Sequence, residues 1–263
     1  MKEIRYVLLD PTGNLTCLVL DPVRKEEEAA LTKGLLSLCE QVAYLEPPDR
    51  PEAVARIRLM GGEFCGNAAM AAAAWLVRDR NAEGQETAML LEVSGTAEPV
   101  PCTVRKTAEG WEGTVSMPGI PEIRKETFCE IPFTAVRMEG IIHLIREGEP
   151  FVPEEAEGLL RKIAAGLPDE AAGLLQWEAE KGYMTPLVYV RGSDSLVWEH
   201  GCGSGSAAIG AYEALKRGGG KQTTAVRQPG GTIRVTAENR DGTIISVSIT
   251  GQVCFGEGIQ IFH

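Results

Sequence analysis

The chain has 263 residues, 44% of them hydrophobic and 24% charged, with a formal net charge of −11 at pH 7. That composition is ordinary for a folded protein of one large domain or two lobes, and it excludes a disordered chain. The acidic balance weighs against nucleic acid or an anionic membrane as main partner, since both reward a basic surface.

In chain order, residues 4–10 and 15–20 read as two strands joined by the turn Pro11-Thr12-Gly13-Asn14. Met1-Lys2-Glu3-Ile4-Arg5 lacks a secretory pattern, and no stretch reaches the roughly 18 to 20 apolar residues of a membrane span, so a cytoplasmic protein is expected. Residues 25–37, acidic early and apolar at helical spacing, predict an amphipathic helix. Residues 39–45 alternate like a strand, on which Glu40 would ordinarily face solvent. The alternating segment 54–60 then delivers the chain to Gly61-Gly62 and a first cysteine stretch. Strands are expected at 88–93, 100–106 and 113–117, and Pro118-Gly119-Ile120-Pro121 breaks any continuing element. The second half predicts strands at 134–138 and 141–145, a helix over 153–165, and short strands at 187–190 and 196–198. His143, between apolar neighbours, reads as a core residue. Beyond a second cysteine stretch come strands at 223–227, 232–237 and 244–249, with Gln228-Pro229-Gly230-Gly231 as a turn and residues 251–262 closing the chain.

The two cysteine stretches are Glu63-Phe64-Cys65-Gly66-Asn67-Ala68-Ala69 and Glu199-His200-Gly201-Cys202-Gly203-Ser204-Gly205-Ser206-Ala207-Ala208. Each runs into a strong helix former. A thiol at such a place feels unpaired backbone N–H groups and the positive end of the helix dipole, which favour thiolate. The glycines let the backbone approach a ligand, so the same N–H groups can hold a carboxylate. One such cysteine is ordinarily a buried packing residue, but packing alone does not ask for the repeat. Ser94-Gly95 and Pro229-Gly230-Gly231 follow the two cysteines at nearly the same interval. The plan of strand, Cys-Gly, helix and strands therefore occurs twice. It predicts two related lobes, 1–120 carrying Cys65 and 121–255 carrying Cys202, with the C-terminal strand 256–263 a candidate to return to the first. Each lobe would offer its thiol to a cleft between them.

Inverting a carbon that carries hydrogen needs a base on one face and an acid on the other, and two cysteines can serve, exchanging roles for the opposite enantiomer. The remaining cysteines, Cys17, Cys39, Cys102, Cys129 and Cys254, read as structural. The odd cysteine count, the lack of a CxxC pair and the three histidines fit neither a disulfide framework nor zinc, and no metal is expected. With no GxGxxG after a strand and no P-loop, no cofactor is expected either.

Phe64-Cys65-Gly66-Asn67, Cys202 to Ala208, Pro11 to Asn14, Gln228 to Gly231 and the closing Gly251-Gln252-Val253 resemble the diaminopimelate epimerase superfamily nearly end to end. The resemblance implies an α/β (α+β) fold of two pseudo-symmetric lobes, each a mixed sheet wrapped around a central helix. It implies a cofactor-independent racemase with Cys65 and Cys202 as acid/base thiols. By the same resemblance Asn14, Asn67 and Glu199 hold and orient the substrate amino group, and backbone N–H groups of Gly66, Asn67, Gly203 and Ser204 hold the α-carboxylate. Diaminopimelate epimerases carry Glu-Arg ahead of the second cysteine, whose arginine clamps the distal carboxylate. Here Glu199-His200-Gly201 abuts Cys202 instead.

That shorter form, with Cys39-Glu40-Gln41-Val42 and the run from Leu196 to Gly205, is most similar to the histidine racemases that supply D-histidine to opine-type metallophores. In that subgroup the glutamate at the Glu40 position faces the substrate side chain, where a carboxylate accepts an imidazole N–H. The expected partner is a small-molecule amino acid, and the resemblance is compatible with a homodimer. Two other enzyme or binding readings stay open: a racemase or epimerase of another amino acid, including diaminopimelate, and a non-catalytic small-molecule binder on the same scaffold. A thiol-redox role would need Cys65 and Cys202 close enough to bridge.

Overall fold

The computed structural model describes residues 3–119, 121–148 and 150–262, and the chain divides into two compact units, Met1–Ser116 with Thr250–His263, and Met117–Ile249. The expected boundary turn contains Ile120, which lies outside the described residues, as do Met1, Lys2 and His263 at the ends of the expected lobes.

In the first unit, β1 (Ile4–Pro11) and β2 (Thr16–Val19) form an antiparallel pair, α1 (Lys25–Leu35) crosses over to β3 (Gln41–Glu46), and β3 pairs antiparallel with β4 (Ala55–Leu59). A second crossover, α2 (Gly66–Val77), leads to β5 (Glu86–Val93), and β6 (Val100–Thr107) and β7 (Gly110–Ser116) complete an antiparallel run. Parallel neighbours cannot be joined by a tight turn, so β2–β3 and β4–β5 each require a helix. The two helices differ in how they are buried. Only Leu31 and Leu35 of α1 are buried, which makes it an outer helix. In α2 every residue but Leu76 is buried, as an apolar, alanine-rich segment demands, and the sheet strands pack around it.

The second unit repeats the pairing plan. After the hairpin of β8 (Glu122–Phe128) and β9 (Ile131–Met138), β9 pairs antiparallel with β10 (Ile141–Glu147). The amphipathic helix α3 (Pro153–Ala165), burying Ala156, Leu160, Ile163 and Ala164, crosses to parallel β11 (Ala171–Glu178). β11 pairs antiparallel with β12 (Tyr183–Val190), and β12 with β13 (Ser195–Trp198). The inner helix α4 (Gly203–Arg217) then leads to β14 (Gly220–Gln228), parallel to β12 at Tyr183 and Arg227, and to antiparallel β15 (Gly231–Arg240).

β16 (Thr243–Phe255) runs without a break through Gly251, where the sequence suggested a strand end. A side chain at Gly251 would press within 2.6 Å of the Thr12 hydroxyl oxygen, so the glycine serves a close approach rather than a turn. The division between units passes through this strand, whose far end pairs with β1. β17 (Gln260–Phe262) also pairs antiparallel with β1. β8 and β11 are strands that the sequence pattern did not announce. β8, reading EIRKETF, has no buried residue and loses its alternation where Arg124 and Lys125 are both exposed, and β11, reading AAGLLQWE, is buried on both faces and so shows no period of two.

Candidate active site

Strand register gathers the expected residues of the first unit at one end of its sheet. Thr16 at the start of β2 lies opposite Gln41 at the start of parallel β3, and Ala43 opposite Leu59 at the end of antiparallel β4. The turn bearing Asn14, the residue Glu40 and the run from β4 into Cys65 therefore share that edge. Glu40 precedes β3 rather than lying on it, because its N–H and that of Gln41 both reach the Leu15 carbonyl, at 2.9 and 3.3 Å. Asn14 is buried, and its Oδ1 lacks a hydrogen-bond partner among the described residues.

Both cysteines cap their helices. Cys65 has φ −136° and ψ 111°, and Cys202 φ −101° and ψ 105°, the extended geometry of an N-cap. Each sulfur accepts from the N–H three residues on: Ala68 N–H to Cys65 Sγ at 3.5 Å, and Gly205 N–H to Cys202 Sγ at 3.3 Å. The preceding N–H groups, of Gly66 and Asn67 in α2 and of Gly203 and Ser204 in α4, belong to a first turn that has no intrahelical acceptor. A side chain at Gly205 would meet Cys202 Sγ at 2.9 Å, so glycine is what lets that N–H approach the sulfur.

The surroundings of the two thiols differ. Cys65 is half-buried. Its run-in is clasped by the turn after β5: Ser94 Oγ donates to the Glu63 carbonyl at 2.7 Å and accepts from Leu59 N–H at 2.9 Å. Gly95, with φ +76°, packs so closely that a Cβ would lie 2.4 Å from Phe64 N. Cys202 is buried at 3% exposure. Burial, then the charge of Glu199 and a hydrogen bond to its carboxylate, holds the Cys202 thiol well above its ordinary value; the Gly205 N–H and the Ser204 hydroxyl pull it back only in part. The lowering expected for a thiol at a helix start is thus reversed here, because desolvation outweighs the helix terminus.

His143, read from the sequence as a core residue, lies fully buried on β10 beneath this helix start. Its Nε2 hydrogen-bonds Ser204 Oγ at 3.0 Å, and Ser204 Oγ lies 3.7 Å from Cys202 Sγ. Burial lowers its pKa to about 3, so the ring is neutral. Nδ1 has no partner among the described residues, and an unpaired lone pair is cheaper to bury than an unpaired N–H, so Nε2 carries the proton and donates to Ser204. Gln228 is a second residue that site-directed sequence reading missed: its amide oxygen accepts the Cys202 N–H at 2.7 Å. Its place in the turn motif was visible, but the reach of its side chain was not.

Of the other cysteines, Cys17 and Cys102 are buried and Cys39 half-buried, whereas Cys129 and Cys254 are exposed. Among the described residues no cluster of three or more His, Cys, Asp or Glu side chains has metal-site geometry, and no helix is long and apolar enough to cross a membrane. A surface concavity of about 710 Å³ lined by Lys25, Glu28, Thr32, Lys33 and Met60 contains none of the expected site residues.

Residues 3–259 match the family model described as the histidine racemase CntK N-terminal domain. A histidine racemase of Staphylococcus aureus is 29% identical over 96% of this chain and 95% of its own length, and one of Fusobacterium nucleatum 27% identical over 91% of each. A diaminopimelate epimerase of Xanthomonas campestris is 27% identical over 75% of this chain and 74% of its own. Among solved structures, a phenazine biosynthesis protein of the PhzF family from Bacillus anthracis superposes with a TM-score of 0.72 at 13% identity, covering 100% of both chains. A hydroxyproline epimerase from Agrobacterium vitis does so with a TM-score of 0.71 at 14% identity, over 99% of this chain and 92% of that one. At such identities these structures speak for the fold alone.

Proposed function

The chain belongs to the histidine racemase family, a group of PLP-independent amino-acid racemases, and from that premise we propose that it interconverts L- and D-histidine with Cys65 and Cys202 as paired acid and base. The observation that carries the reading is the duplicated cap: two cysteines, one per unit, whose sulfurs accept from the N–H three residues into an inner helix. In the reaction one thiolate takes the α-proton and the other thiol delivers a proton to the opposite face, so the carbon inverts and the two cysteines exchange protonation states. Cys202, held above its ordinary pKa, rests as the thiol and is the acid of the resting enzyme. Cys65 is then the base for one enantiomer, and the reverse reaction uses them in the opposite order.

Charge developing on the substrate as the proton leaves is met by backbone N–H groups of Gly66, Asn67, Gly203 and Ser204 at the α-carboxylate. Asn14, Asn67 and Glu199 hold the amino group, the buried Asn14 Oδ1 being an acceptor suited to an ammonium. Glu40 recognises the imidazole, and no arginine is required because no distal carboxylate is bound. We assign the product to an opine-type metallophore and the enzyme to the cytoplasm, as a homodimer. The relatedness to diaminopimelate epimerases favours one second reading, a racemase of another amino acid on the same thiol chemistry.

Proton NMR in deuterated water with reductant tests this. L-histidine should lose its α-proton signal and yield the D form, whereas Cys65→Ser and Cys202→Ser should not racemise it. Exchange of diaminopimelate or another amino acid in place of histidine would retain the thiol mechanism and remove the role given to Glu40. No exchange of any amino acid would sink the mechanism.

A further inference from the structure

We propose that Gln228, the last residue of β14, is the positioning residue of Cys202, holding the backbone of the thiol-bearing cap on both its polar groups; this rests on the reading of Cys202 as an acid/base thiol. Gln228 is buried at 4% exposure. The Cys202 N–H donates to its Oε1 at 2.7 Å, its Nε2 donates to Ser206 Oγ at 2.9 Å, and Ser206 Oγ donates to the Cys202 carbonyl at 2.7 Å.

Each direction in this ring is forced. A backbone N–H can only donate, so the amide atom facing it is oxygen; nitrogen then faces Ser206, whose single proton goes on to the carbonyl. The N–H of an N-cap lies outside the helix and has no helical acceptor, and Gln228 supplies one. The turn that follows Gln228 adds a second tie, Gly230 N–H to the His200 carbonyl at 2.8 Å. Residues on both sides of Gly201 are thereby fixed from the end of β14 and the turn after it, and with them the direction in which Cys202 Cβ projects its sulfur. In the first unit the corresponding turn does less: Ser94 ties Leu59 and Glu63, ahead of the cap. A glutamine in place of a serine is long enough to reach the cap itself.

The consequence is kinetic. A thiol returning a proton must meet the carbanion within a narrow range of positions, and a misplacement near 1 Å costs about a hundred-fold. Gln228→Met preserves the unbranched volume and deletes both hydrogen bonds, and Ser206→Ala deletes one leg of the ring. Both would be compared with the wild type and Cys202→Ser, following α-deuterium exchange and inversion together for L- and D-histidine in reducing deuterated buffer. Racemisation kcat should fall about a hundred-fold in Gln228→Met and about ten-fold in Ser206→Ala, with KM within about two-fold of wild type. The enantiomer deprotonated by Cys65 should go on exchanging its α-proton without inverting, since only the return of a proton by Cys202 is impaired. A general lesion in packing would lower exchange and inversion equally for both enantiomers, and that result, or wild-type rates in Gln228→Met, overturns the proposal. If Gln228→Met does not fold, the asymmetry of exchange in Ser206→Ala decides in the same way. A wild type that does not racemise, or a Cys202→Ser variant that does, removes the acid/base reading and this proposal with it. With those two behaving as expected, failure of the Gln228 and Ser206 variants removes the proposal alone.

Discussion

The helix starts at Cys65 and Cys202 share a cap geometry and differ in everything that surrounds it. Cys65 is half-buried on a helix whose run-in is held by a serine and a tightly packed glycine. Cys202 is buried, with Glu199, Ser204 and Gln228 on its sulfur or backbone and neutral His143 one hydroxyl away. The repeated structural plan thus places a thiol alike in both units while its electrostatic surroundings differ. The proposed two-thiol mechanism has use for such a difference: it needs one partner protonated at rest, and burial beside a carboxylate favours that state at Cys202.

The largest expected effect tests what the two sites share. Cys65→Ser and Cys202→Ser should each lower racemisation by about 10²–10⁴-fold, the usual contribution of a positioned acid or base. A variant retaining near-wild-type racemisation would reduce its cysteine to a helix cap.

Acid should separate the units next. His143 titrates at about 3 in the folded chain against an ordinary 6.5, so the unfolded chain binds the proton more tightly. The stability tied to its neutral form is complete above the ordinary value and is lost as pH falls toward 3, by up to about 1.4 kcal/mol per pH unit. Among its described residues the first unit has no histidine. Hydrogen exchange at falling pH should therefore open the second unit first, and His143→Leu should flatten that pH dependence; an unchanged slope would contradict it.

Packing offers a smaller contrast. The close contact between inner helix and sheet is made by a helix glycine in one unit and by a strand glycine in the other. A Cβ at Gly210 of α4 would lie 2.2 Å from Val235 Cγ1, and one at Gly113 of β7 would lie 2.7 Å from Met70 Cβ on α2. Gly113→Ala should cost about 1–3 kcal/mol, and Gly210→Ala about 1–2 kcal/mol because alanine's helix propensity offsets part of the clash. Thermal melts would check both, and a stabilised Gly210→Ala would mean that the helix moves off the sheet freely.

The smallest effect is chemical. Iodoacetamide should label Cys65 about ten-fold or more faster than Cys202 near neutral pH, because only thiolate reacts and Cys202 is both buried and raised in pKa. Glu199→Gln removes the carboxylate that raises it, so the labelling of Cys202 should move to lower pH. Peptide mass mapping across a pH series reads both, and a pH dependence that Glu199→Gln leaves in place would assign the raised value to burial alone.

Much of this was legible in the sequence because it follows from local rules. The two Cys-Gly stretches announced the starts of α2 and α4, and the alanine run after Cys65 announced a strong helix. The predicted helix at residues 25–37 appears as Lys25–Leu35. What stayed hidden depends on contacts between residues distant in sequence. The reach of Gln228 to Cys202 spans 26 residues and that of His143 to Ser204 spans 61, and no period or turn signal encodes either. The raised pKa of Cys202 was missed for the same reason. A helix start can be read from neighbours in sequence, but desolvation is set by the strands packed over it.

A sulfur atom is a poor helix cap. Serine and aspartate hold an N-terminal N–H with a short, strong bond, and the two thiols hold theirs at 3.5 and 3.3 Å. On the function proposed above, both inner helices of this fold begin at a residue kept for chemistry over folding. Replacing either by serine should shorten that bond and silence the enzyme in one step, which sets activity and thermal tolerance against each other at the same two positions. Selection for a hardier protein, acting alone, would be expected to erase the two proposed catalytic residues first.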